Sequence, residues 1–304
     1  MHNLKSNSSV IEQGKRDVIF ADLVYQHTIC DIKKMAKRLL PHHDILIISD
    51  SICEIKKKEY RAVVFVNDIK KEIICSVAGT RLLFNKAGVS DIIDNFRVLF
   101  SKFPLKIKSA SALNNQILNV LGDKVQEYSF RYTGHSLGAS MAQLSAADME
   151  IKLAEKKLCT NTLKISCMGF DGPGIKHLLE DFYTQNNSLL ASSIIQFTCF
   201  NSTANFINQM HEQVGEVYTI VPNQWYKNQK TKSKPKIYQA LKRLSLIKKS
   251  TKVAKFCIKH LVPLFTLSRF IDQLRDHQLD NLKDVLLNQK GKINKIQNYK
   301  KLKF

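Results

Sequence analysis

The sequence predicts an α/β protein in which helices flank a mostly parallel central sheet. β-branched runs, "YRAVVFV", "EIICSV", "LKISCMGF" and "SIIQFTCF", recur through the first 222 residues and read as strands. Between several of them lie stretches with apolar residues three and four apart, the spacing of an amphipathic helix. Strands alternating with helices lead to a parallel sheet, because each crossover must return over one face.

The elements follow in order. Residues 12–40 read as helical. "YRAVVFVNDIKKEIICSVAGT" reads as two strands joined at Asn67-Asp68. Helical patterns come next at 89–101 and 108–124, and "YSFRYTG" (128–134) alternates as a strand. "ASMAQLSAADMEIKLAEKK" is a helix, "LKISCMGFD" a strand, "GIKHLLEDFYTQ" a helix and "SIIQFTCF" a strand. A short "GEVYTIV" strand is expected to close the body.

The 304 residues suffice for one sizeable core or a core with a smaller appendage. With 44% hydrophobic and 24% charged residues, the composition is that of a soluble globular protein and excludes wholesale disorder. "MHNLKSNSSVIEQGKRDVIF" lacks the apolar centre of a secretory signal. No run reaches the roughly 18 apolar residues of a spanning helix. A cytoplasmic or peripheral-membrane location is therefore expected, with export by a signal-less route left open. Seven cysteines contain no CxxC pair, and an odd count without a framework points to a reducing compartment. Neither a structural metal nor a cofactor is expected.

Charge divides the chain. Residues 223–304 carry a net +17 and the preceding 222 only +4. The expected organisation is a helical N-terminal segment (1–60), a core (60–222), a basic amphipathic insertion (223–270), a core-completing segment (271–288) and a basic, disordered tail (289–304). In the insertion Ile237, Ala240, Leu241, Leu244 and Ile247 share one helical stripe, with lysines and Arg243 opposite. Such a helix suits an anionic membrane surface, as a lid or a dock; the alternative is a solvated face packed on the core. No nucleic-acid module is visible, so no specific nucleic-acid partner is expected.

The chemistry centres on Gly134-His135-Ser136-Leu137-Gly138, which falls between the strand at 128–134 and the helix that follows. At a sharp strand-to-helix turn, glycines two residues either side of a serine permit a strained backbone that lifts Oγ above the sheet. The Leu137 N–H then points from a helix N-terminus toward a developing oxyanion. On its own the pattern could equally be a turn serine; its flanking elements favour a nucleophile.

"TGHSLGAS" resembles the elbow of the class 3 (fungal-type) lipases, a family of α/β-hydrolases. "ICSVAGT…VSDIIDNF" resembles that family's strand ending in an arginine-glycine-threonine or -serine motif, although Ala78 stands where the family has arginine. "NFINQMHEQVGEVYTI" resembles the segment after its seventh strand. The resemblance covers roughly residues 60–222 and a patch near 270–285. It implies an α/β-hydrolase-like fold and a lipid ester substrate. It also places Thr80 as the second oxyanion donor; otherwise Gly79-Thr80 only turns the chain.

In such hydrolases the chain order is nucleophile, acid, histidine. Four histidines lie well past Ser136: 177, 211, 260 and 277. His177 follows too closely on a candidate acid, His211 precedes an expected strand, and His260 lies on the basic amphipathic surface. His277 in "LRDHQLDNL" resembles the family's catalytic segment and is the expected base, against a plain surface histidine. In class 3 lipases the acid follows the seventh strand, yet "SIIQFTCFNSTANFIN" contains no carboxylate, and Asn205 or a neighbour stands in the expected place. Asp171 in "CMGFDGPG" ends the preceding strand, where pancreatic-type lipases look similar, and it is the expected acid. Its alternative is a turn residue accepting backbone N–H groups.

The expected function is a serine hydrolase cleaving acyl esters of lipids, of lipase or phospholipase A type, through Ser136, His277 and Asp171. The competing expectation is a catalytically inactive hydrolase-fold protein that docks on anionic membranes or a partner.

Overall fold

The computed structural model describes residues 2–26, 28–49, 60–79, 103–158, 164–188, 192–202, 208, 211–222, 279–288 and 291–296. The helix expected at 89–101, the 223–270 insertion, Thr80, Asn205, His260 and His277 lie outside the described residues.

One eight-stranded sheet runs in sequence order: β1 (Asp44–Ile48), β2 (Ala62–Asn67), β3 (Glu72–Val77), β4 (Ser129–His135), β5 (Ile165–Phe170), β6 (Gln196–Ser202), β7 (Glu216–Pro222) and β8 (Gly291–Ile296). β3 to β7 are parallel, and the pairs β1–β2, β2–β3 and β7–β8 are antiparallel. The carboxyl ends of five parallel strands therefore meet along one edge, the place where open α/β sheets hold ligands.

Alternation along the strands builds two different faces. Val64, Cys75, Tyr132, Cys167 and Phe197 belong to one core with α3 (Ile107–Leu121), α4 (Leu137–Glu155) and α5 (Lys176–Gln185). On the opposite face Phe65 and Ile74 pack with α1 (His2–Leu23) and α2 (Ile29–Leu39), while Phe170, Phe200 and Tyr218 pack with α1 and α6 (Leu279–Asn288). The stacked rings of Phe170, Phe200 and Tyr218 tie β5, β6 and β7 together.

Three expectations are corrected. Residues 1–60 are not only helical: β1 extends the sheet, and α1 is joined to it by buried ions. Asp17, fully buried, pairs with Arg131 of β4 at 3.1 Å, and Arg131 pairs with Glu72 of β3 at 2.5 Å. Arg16 reaches the same Glu72 at 2.9 Å. The basic tail is also not wholly disordered, and "GEVYTIV" is not the last strand. Residues 291–296 pair with β7 from Val217↔Ile296 to Pro222↔Gly291. Lysine on an edge strand discourages further pairing, so a basic sequence suits this position. Before it, α6 buries Leu282, Val285 and Leu286, and Lys283 bonds Asp22 of α1 at 2.9 Å.

Candidate active site

β4 ends at His135 and α4 begins at Leu137, so a single residue turns the chain. That residue is Ser136, with φ 59° and ψ −133°. A non-glycine residue held there costs on the order of 1–3 kcal/mol and persists only where its surroundings overdetermine it. They do so here. The Ser136 N–H donates to the Phe170 carbonyl of β5 at 2.9 Å, and its own carbonyl accepts from the Ala139 N–H at 2.9 Å.

The glycines explain themselves by proximity. A Cβ on Gly138 would lie 2.7 Å from the Gly79 nitrogen and 2.8 Å from the Ala78 carbonyl carbon. One on Gly134 would lie 2.5 Å from the Gly138 carbonyl carbon and 2.8 Å from the Val77 oxygen. The first turn of α4 thus sits at backbone contact with the ends of β3 and β4. Its leading N–H groups, Leu137's among them, have no acceptor within the helix and carry the positive end of its dipole. Ser136 itself is 6% exposed.

Asp171 follows β5 directly, with φ 51°. The register His135↔Phe170 brings it to the same sheet edge as Ser136. The next residue is held close as well, since a Cβ on Gly172 would stand 2.6 Å from the Ala139 Cβ and 3.3 Å from the Ser136 carbonyl oxygen. Asp171 is fully buried. Its Oδ1 accepts from the Ser202 N–H at 2.7 Å and from Asn208 Nδ2 at 2.8 Å. Both donors belong to the β6 end and the stretch after it, the region in which class 3 lipases are expected to carry their acid. Gln213 completes this loop cluster by donating to the Gly172 carbonyl at 2.8 Å.

Asp148 and Glu150 of α4 are committed to the core. Asp148 accepts from Asn114 at 2.8 Å, and burial raises its pKa. Glu150 accepts from the Ser193 hydroxyl at 2.8 Å and the Ile194 N–H at 2.6 Å. His177 and His211 pack against one another with ring centroids 4.4 Å apart. Among the described residues, no group of three or more His, Cys, Asp or Glu is placed to hold a metal ion. No described helix is long and apolar enough to cross a membrane.

Sequence reasoning missed Tyr25, in the turn that ends α1. Its hydroxyl donates to the His135 carbonyl at 3.2 Å and accepts from the Gly79 N–H at 2.7 Å. It also missed Asn208 and Gln213. None of the three has a spacing signature, because each is defined by backbone atoms brought close only by folding.

Residues 92–178, which include Ser136 and Asp171, match the family model for class 3 lipases. The chain has a class 3 lipase-like α/β-hydrolase fold. A fungal lipase solved as an inhibitor complex is similar in structure, with a TM-score of 0.50 at 14% identity over 71% of this chain and 82% of that one. The triacylglyceride lipase of Rhizomucor miehei gives 0.45 at 15% identity, over 70% of this chain and 81% of that one. Among curated proteins, an uncharacterized protein of Rickettsia prowazekii (strain Madrid E) is 31% identical over 184 residues. That match spans 57% of this chain and 45% of the relative, less than half of the relative's length.

Proposed function

We propose that this lipase-like protein is a serine hydrolase that cleaves acyl esters of lipids. The observation that carries the reading is the backbone of Ser136. A strained single-residue turn from strand to helix has little structural purpose unless it presents its hydroxyl, and it does so beside the first N–H groups of α4.

In this mechanism Ser136 Oγ attacks the acyl carbonyl carbon and passes its proton to His277. The tetrahedral oxyanion accepts hydrogen bonds from the Leu137 N–H and from Thr80. Collapse expels the alcohol, which takes the proton back from His277, and leaves an acyl-serine. Water, deprotonated by the same histidine, then releases the fatty acid. Asp171 orients the imidazole and stabilises its cation. Oδ1 is committed to Ser202 and Asn208, so this reading assigns the imidazole to Oδ2. Supporting this assignment are the burial of Asp171, its position one strand over from Ser136, and the absence of a carboxylate from "NSTANFIN". The net +17 of residues 223–304 favours an interface of anionic phospholipid and a peripheral mode of contact through that segment.

One observation favours a second reading. Asp171 Oδ1 accepts from Ser202 and Asn208 of its own loop cluster, as it would in a residue whose task is to fasten that loop. An inactive docking protein needs no more. The two readings separate on vesicles of phosphatidylglycerol and of phosphatidylcholine. The hydrolase releases fatty acid, faster from the anionic vesicles, and Ser136→Ala abolishes the release. The docking protein sediments with anionic vesicles and releases none.

A further inference from the structure

We infer that Tyr25 is a positioning residue whose hydroxyl sets the gap between the nucleophile elbow and the end of β3, where the oxyanion donor is expected. The inference rests on the hydrolase reading, but its geometry stands apart from it. One oxygen bridges two strands. It accepts the Gly79 N–H at 2.7 Å and donates to the His135 carbonyl at 3.2 Å. Gly79 immediately precedes Thr80, and the His135 carbonyl belongs to the peptide that enters Ser136.

The bridge cannot be made by anything nearer. Gly79 is buried, and a Cβ there would lie 2.7 Å from the Tyr25 oxygen and 3.0 Å from the Gly138 nitrogen. No side chain fits between β3 and β4 at this level, so the bonding groups must be reached from outside the sheet. Tyr25 reaches them from the turn closing α1, and that turn is itself held. The Tyr25 N–H donates to the Asp22 carbonyl at 3.1 Å, and the Arg61 guanidinium donates to the Gln26 carbonyl. The Arg61 carbonyl in turn accepts from the Ala78 N–H at 2.9 Å. The Tyr25 ring packs edge-on against the His135 imidazole, with centroids 6.2 Å apart, which leaves the hydroxyl little freedom. Ala78 packs with the apolar cluster of α1 and α2, while Tyr25 and Arg61 supply polar ties at this corner.

Loss of the hydroxyl leaves a buried N–H and a carbonyl to find other partners, and the cheapest adjustment is to move Gly79 relative to the elbow. An oxyanion site tolerates such movement poorly, because its donors must meet a charge that exists only in the transition state. Ground-state binding of the ester does not depend on that distance.

The test compares Tyr25→Phe with wild type, since phenylalanine keeps the ring and removes one atom. Two readouts are taken on the full chain: hydrogen exchange of the Gly79 amide, and kcat and KM for a soluble p-nitrophenyl ester. Expected are exchange of the Gly79 amide at least tenfold faster with core amides of β4 and β5 unchanged, and a kcat roughly 10- to 100-fold lower with KM within twofold. Gly79 exchange that does not change overturns the inference whether or not the protein is an enzyme. A rise in KM at constant kcat, or unchanged kinetics in an active wild type, overturns the positioning role. A wild type that neither turns over the ester nor takes up a fluorophosphonate fails the hydrolase reading and, with it, the catalytic half of the inference.

Discussion

Replacing Asp171 by asparagine separates a catalytic acid from a loop fastener. In the fully buried site Oδ1 holds two donors, the Ser202 N–H at 2.7 Å and Asn208 Nδ2 at 2.8 Å. Hydrogen bonds to a charged acceptor contribute about 1.5–3 kcal/mol each, and those to a neutral one about 0.5–1.5 kcal/mol. Asparagine with its oxygen toward the two donors keeps both bonds in the weaker form, so the variant loses about 2–3 kcal/mol of stability. At about 2–4 °C per kcal/mol, Tm falls by roughly 4–12 °C, and the protein still folds. The chemical effect is larger. On the proposed triad, the asparagine NH2 in the place of Oδ2 would present a donor to an imidazole N–H that needs an acceptor, and so select the wrong tautomer of His277. A change of this kind lowers kcat by about 10⁴, equivalent to about 5 kcal/mol. Initial rates on a soluble ester at 25 °C, paired with thermal melts, read both quantities. If Tm falls as stated and kcat stays within about threefold of wild type, Asp171 only fastens its loop and the acid lies elsewhere.

Further outcomes follow from other parts of the molecule. Gly138→Ala forces a methyl group into the backbone of Ala78 and Gly79, at 2.7–2.8 Å, so fluorophosphonate labelling should fall by at least an order of magnitude; labelling at the wild-type rate would show that the elbow needs no close approach. Arg131→Met takes the cation at 3.1 Å from the buried Asp17 and leaves Glu72 with Arg16, and should cost about 3–5 kcal/mol in urea titration. His43, half-buried against Phe20 and near the positive charges of Arg16 and Lys70, has a pKa lowered to about 4, chiefly by burial. Below its unfolded pKa of about 6.5 the unfolded chain takes up a proton that the folded one refuses. Stability should therefore fall between pH 6.5 and about 4, and His43→Gln should flatten that slope in melts taken across the range. Of the four described cysteines, Cys30 is exposed, while burial pushes Cys75 and Cys199 up to about 12 and raises Cys167 as well. Among these four, brief iodoacetamide treatment of the native protein should modify Cys30 alone, as read by peptide mass mapping.

What could be read in the sequence was what chemistry writes locally. The strands at 62–67, 72–77, 165–170 and 196–202 announce themselves by β-branched and aromatic runs, and the elbow by two glycines whose spacing reflects a backbone contact. The strand at 291–296 was hidden because "GKINKI" is lysine-rich, and an edge strand needs a paired backbone more than an apolar face. β1 was overlooked in a segment dominated by helical spacing. Asp171 could be nominated from its place after a strand, but its partners Ser202 and Asn208 lie 31 and 37 residues away and share no pattern with it. Tyr25 is harder still. It acts 110 residues along the chain on a carbonyl, an atom that every residue has.

The central claim, that Ser136 is a nucleophile, is tested most directly by intact-protein and peptide mass spectrometry after incubation with a fluorophosphonate, with anionic vesicles present. The account predicts a single adduct, located on Ser136, that is lost in Ser136→Ala and forms far more slowly in His277→Ala. A folded wild type that takes up no probe, or an adduct on another residue, would contradict it.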